Sequence, residues 1–106
     1  MEMSTIETLI SVAPALLRGE FPEYPTRVER RAIEILNILK DGQWYTPSEI
    51  AESLGVGKKY VSDILRALRR PWCLETKQQH VRNQEKYWKM KIMIKNNLEL
   101  KKALEE

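Results

Sequence analysis

The side chains with the chemistry to hold a ligand are mostly cations, and they cluster. From Lys58 to Lys91 the chain has ten lysines and arginines against three acids (Asp63, Glu75 and Glu85), a local charge of +7. The remainder has eight basic residues against twelve acidic ones, or −4, so the overall +3 hides the asymmetry. Such a concentration points toward a polyanionic partner, or else it is a solvated basic face. Its first part, "GKKYVSDILRALRR" over residues 57–70, has a helical period. With Val61 at zero and about 100° per residue, Ile64, Leu65 and Leu68 fall within roughly 60° of it. Lys59, Asp63, Arg66 and Arg70 land opposite, with Lys58, Ser62 and Arg69 flanking. One face is apolar and the other mostly cationic.

Other chemistries find little support. The one cysteine, Cys73, and the one histidine, His80, lie seven apart and make neither a zinc site nor a nucleophile–base pair. No enzyme activity, metal or cofactor is therefore expected. Cys73 reads as a small buried apolar residue. Trp44, Tyr45, Trp72, Tyr87 and Trp88 read as core and hairpin packing in preference to base-stacking platforms. A lone cysteine excludes an internal disulfide and suits a reducing cytoplasm. The opening "MEMSTIETLI" lacks the basic region of a signal peptide, and no apolar run approaches the roughly 18–20 residues of a membrane span. At 106 residues, 42% hydrophobic and 31% charged, the chain has the composition and length of one globular domain.

The elements that must position the cations are legible from caps and periods. Ser4 and Glu7 have the spacing of a capping box for a helix over 4–18, which Pro14 would kink or split and Gly19 would stop. "EFPEYP" is extended. Thr26 and Glu29 repeat the capping box before "RVERRAIEILNILK", where Val28, Ala32, Ile35, Leu36 and Leu39 share a face and Asp41-Gly42 marks the end. "QWY" is short and strand-like. Thr46, Pro47 and Glu49 start another helix, with Ile50, Ala51 and Leu54 as its apolar face and Gly55 as its stop. After the helix over 57–70, closed by Pro71, "WCLETK" and "EKYWKM" are β-prone segments around the polar loop "QQHVRNQ". A last helix starts near Asn96 or Asn97, with Leu98, Leu100 and Leu104 as candidate apolar contacts.

Between the two central helices, Gly55 supplies a turn with positive φ at no steric cost. Val56 plugs that turn into the core, small Ala51 lets the helices approach, and Val61, Ile64, Leu65 and Leu68 seat the second helix. This pattern over about residues 27–90 resembles the winged helix-turn-helix transcription regulators of bacteria and archaea, and is broadly similar to the MarR and ArsR families. The implied fold is mainly α with a small antiparallel β wing (α+β), flanked by extra terminal helices. The chain departs from many such regulators in having "RRPWCLE" where a glycine and a short aliphatic strand are usual, and it lacks the cysteine pairs of metal-responsive ArsR members.

The resemblance implies that the helix over 57–70 lies in the major groove of double-stranded DNA. It puts Lys58, Lys59, Tyr60, Ser62, Asp63, Arg66 and Arg70 at or near the duplex. Lysine and arginine donate to guanine N7 and O6, and serine serves bases or phosphate. Asp63 would either accept from a cytosine amino group or pair with Lys59 one turn back. The wing, over 77–86, would bring Lys77, Gln79, His80, Arg82 and Lys86 to flanking backbone or minor groove, with Arg82 at its tip. Arg27, Arg30 and Arg31 either reach phosphates or form a solvated face.

Three segments follow: 1–25, an N-terminal helix and extended linker; 26–91, the DNA-binding domain; and 92–106, a C-terminal helix. The terminal helices hold more leucine and isoleucine than a three-helix core can bury. Either they join two copies into a homodimer, or the first folds back over its own core. The function expected is that of a sequence-specific DNA-binding transcription regulator. The alternatives are a non-specific architectural DNA-binding protein and a protein-interaction winged helix of a larger complex.

Overall fold

The computed structural model describes residues 5–69, 74–78, 86–90 and 96–105. In chain order these form α1 (Thr5–Leu17), α2 (Arg27–Leu39), α3 (Pro47–Leu54), α4 (Lys58–Arg69), β1 (Leu74–Gln78), β2 (Lys86–Met90) and α5 (Asn96–Glu105). A helix pair joined by a tight turn and followed by an antiparallel hairpin is a winged helix-turn-helix, as expected. The predicted cap Ser4 lies outside the described residues.

Local chemistry sets the helix starts. Thr26 and Thr46 each accept from the backbone N–H three residues on, at 3.3 and 3.2 Å. Glu29 and Glu49 reach back to the N–H groups of Thr26 and Thr46, at 2.9 and 2.8 Å. Both capping boxes thus satisfy donors that a helix start leaves without partners. Pro47 opens α3, where a missing N–H costs nothing.

Pro14 does not split α1, which runs as one helix through it. Proline cannot donate to the carbonyl of Ile10. Both residues are exposed, so water can take up that acceptor.

The core lies between α1, α2 and α4, with α3, the hairpin and α5 closing its sides. Leu9, Ala13, Leu16 and Leu17 of α1 are buried in it, and α1 packs most extensively on α4. The first helix therefore folds back over its own domain. Ile35, Leu36 and Leu39 of α2 and Ile64, Leu65 and Leu68 of α4 are fully buried, each worth roughly 1.5–3 kcal/mol against exposure. In α5, Leu100 is buried, Leu104 packs at the core's edge and Leu98 is exposed.

The hairpin pairs Leu74 with Met90, Thr76 with Trp88 and Lys77 with Tyr87. Leu74, Trp88 and Met90 are buried. The strand expected at "QWY" is a single bridge: Tyr45 and Trp88 exchange both backbone hydrogen bonds at 2.8 Å. Since Thr46 caps α3 one residue later, this bridge ties the wing to the helix-turn-helix.

Candidate nucleic-acid interface

The turn before α4 decides how that helix is presented. Gly55 adopts φ 71° and ψ 33°, and its N–H caps the carbonyl of Ala51. Val56 donates to the same carbonyl at 3.1 Å and packs at the edge of the core. Gly57 accepts from Val61 at 3.2 Å, so it stands just before α4, which begins at Lys58.

The two faces of α4 are as different as the sequence predicts. Val61, Ile64, Leu65 and Leu68 are wholly buried, and Ala67, which the sequence reading did not single out, is buried with them. Lys58, Lys59, Arg66 and Arg69 are exposed, while Ser62 and Asp63 are half-buried. Among the described residues no other element covers Lys59 or Arg66, whose side chains are 88% and 68% exposed.

Asp63 sits between them. One carboxylate oxygen accepts from Lys59 Nζ at 3.5 Å, and the other accepts from Arg66 Nη1 at 3.2 Å. The pairing expected with Lys59 is present, and Arg66 completes it from the following turn.

Tyr60 stands apart from this group. It is half-buried and packs at the core's edge. With Thr8 of α1, Val56, and Thr26, Arg27, Val28 and Arg31 at the start of α2, it lines an open cleft of about 760 Å³. Arg31 in turn donates to Glu34 at 2.9 Å.

On the hairpin, Lys86 and Lys77 are exposed. Lys77 Nζ lies 4.5 Å from the centre of the Trp44 ring and 5.2 Å from that of Tyr87. Lys89 Nζ lies 4.8 Å from the same tryptophan and 3.9 Å from a Glu75 oxygen. The outer face of the wing thus holds two ammonium groups against one indole, contacts worth about 0.5–1 kcal/mol each at exposed sites. Trp88 is the buried hairpin aromatic, as expected, whereas Trp44 is a half-buried surface platform. The sequence reading missed the roles of Trp44 and Lys89. Strand alternation around Tyr45 and Trp88 was the signal that placed both outward.

Arg70, Gln79, His80 and Arg82 lie outside the described residues, as do Trp72 and Cys73. Among the described residues no group of three or more metal-ligating side chains comes together, and no helix is long and apolar enough to cross a membrane.

Residues 25–70 match the family model described as bacterial regulatory protein, arsR family. The matched segment holds α2, α3, the turn and α4, and stops before the wing. No curated protein and no solved structure matches the chain. The family match supports a helix-turn-helix, DNA-binding transcription regulator.

Proposed function

We propose that the chain is a sequence-specific double-stranded DNA-binding transcription regulator that inserts α4 into the major groove. The observation that carries this is the division of α4, whose aliphatic stripe is sealed in the core while Lys59 and Arg66 stand in solvent on the other side. A helix held in this way meets a duplex with Lys58, Lys59, Ser62, Arg66 and Arg69, the first residues nearest the base edges. In this reading Lys77 and Lys86 of the wing, with Gln79 and Arg82 between the strands and Arg70 after α4, serve the flanking backbone or minor groove. Tyr60, half-buried at the start of α4 and lining an open cleft, stands at the edge of this surface.

A single winged helix reads one half-site, and a homodimer reads an inverted repeat. Among the described residues of the terminal helices, Ile10 of α1 and Leu98 of α5, 38% and 64% exposed, are the large apolar side chains open to such a contact.

Selection of bound duplexes from a random pool tests the reading. A symmetric enriched motif is the expected result. Binding without enrichment would favour the non-specific architectural alternative, and no binding at all would favour a protein-interaction module. With the motif in hand, Arg66→Ala should cost about 1–3 kcal/mol of operator binding and Lys59→Ala a comparable amount. Both variants should melt close to wild type, because neither side chain is packed. Leu65→Asp places an unpaired charge in the core and should abolish folding. Folded Leu65→Asp, or Arg66→Ala that melts early yet binds normally, would mean that the faces of α4 have been exchanged.

A further inference from the structure

We infer that Asp63 is a specificity device, holding Lys59 and Arg66 so that they favour base edges over phosphate. This rests on the reading of α4 as the helix that enters the major groove. The geometry is a clasp: each carboxylate oxygen takes one cation, Lys59 from the preceding turn at 3.5 Å and Arg66 from the following one at 3.2 Å. Asp63 is only 27% exposed while its partners are 68% and 88% exposed, so the acid lies in the notch and the cations project past it.

Two consequences follow from the charges. First, the three side chains together present +1 and not +2 to a polyanion. A phosphate that takes either cation must displace the carboxylate or settle beside a like charge. Non-specific binding, which consists almost wholly of phosphate contacts, is therefore weakened. Second, the clasp leaves Arg66 able to recognise a neutral acceptor. Among the described residues Arg66 engages Asp63 through Nη1 alone, and the guanidinium has five N–H groups in a fixed fork. Nη2 and Nε are free to donate to guanine O6 and N7 while Nη1 stays on Asp63. A carboxylate behind the arginine also fixes its side-chain orientation, reducing the freedom lost on binding.

The experiment compares wild type, Asp63→Asn and Glu105→Gln as full chains. Each is titrated with a duplex selected from the random pool and with a random-sequence duplex, across a range of salt. Asparagine is isosteric, and the charge-matched Glu105→Gln control alters an exposed acid of α5. Asp63→Asn should bind the random duplex about three- to fivefold more tightly. Its salt dependence should steepen by about one phosphate contact, a slope change of roughly 0.9. Its preference for the selected duplex should fall about fivefold or more, while Glu105→Gln keeps the wild-type ratio. An unchanged preference in Asp63→Asn, or an equal loss in Glu105→Gln, would overturn the clasp and leave the DNA reading standing. A wild-type chain that binds both duplexes equally would overturn both.

Discussion

Tyr45 couples three parts of the molecule through one residue. Its backbone bridges Trp88, its ring packs at the edge of the core, and its hydroxyl donates to an Asp41 carboxylate oxygen. The other oxygen of Asp41 accepts from the N–H of Gln43 at 2.9 Å, which fixes the acid in the turn after α2. The hydrogen bond to Asp41 is the main reason that the Tyr45 phenol is pushed above its ordinary value of 10.0, followed by burial and the charges of Asp41 and Glu49. Only the neutral phenol can donate. The stability from this bond is therefore complete below about pH 10, the unfolded value, and is lost as pH rises through the higher folded one. Tyr45→Phe should cost about 0.5–1.5 kcal/mol near neutral pH, toward the lower end because the pair is at the surface. Urea titrations should then show the gap between the two proteins closing above about pH 10. A gap that persists undiminished at high pH would place the contribution of Tyr45 in its ring and not its hydroxyl.

Between elements, one glycine marks a close approach and another only a turn. Gly19 and Gly55 both have positive φ, at 82° and 71°, but their surroundings differ. A methyl group on Gly19 would lie 2.7 Å from the Glu99 carbonyl oxygen and 3.1 Å from Ala103 Cβ, whereas one on Gly55 would meet open space. Alanine at either site incurs roughly 1–2 kcal/mol of backbone strain. Gly19→Ala should be the more destabilising in chemical denaturation, because α5 must also shift away from the end of α1. Equal losses would mean that α5 yields freely. Most of this level was legible in the sequence, for a local reason: Thr26 with Glu29 and Thr46 with Glu49 act within one turn, and the aliphatic period of α4 needs no distant partner. What escaped depended on partners far along the chain. Tyr60 packs at the core's edge in a cleft shared with α1 and the start of α2, which no helical wheel of α4 could show. Trp44 faces outward because its neighbour Tyr45 pairs with Trp88, and that pairing is long-range. The clasp on Asp63 was half visible, since its partner Arg66 is as local as Lys59. The fold was thus readable where it is local, and the candidate site only in part.

For the whole molecule, size sets the terms of DNA reading. The described chain measures 41 × 39 × 22 Å and presents one α4, while successive major grooves on one side of a duplex lie about 34 Å apart. Reading an inverted repeat therefore takes two copies, and the surface that joins them must leave both α4 faces clear. Deleting α1 cannot test this, because Leu9, Leu16 and Leu17 belong to the core and their loss would unfold the domain before any interface was probed. Point changes at the exposed apolar residues can. On the proposed reading, light scattering at tens of micromolar shows a dimer for the intact chain, and Ile10→Glu with Leu98→Glu shows a folded monomer with an unchanged far-ultraviolet spectrum. That monomer should still hold a single half-site, but its affinity for the full inverted repeat should drop by about 10²–10⁴, the gain that linking two sites confers. A monomeric intact chain, or a double variant that remains dimeric, would remove Ile10 and Leu98 from the interface, and half-site binding at full strength by the intact protein would remove the dimer from the mechanism.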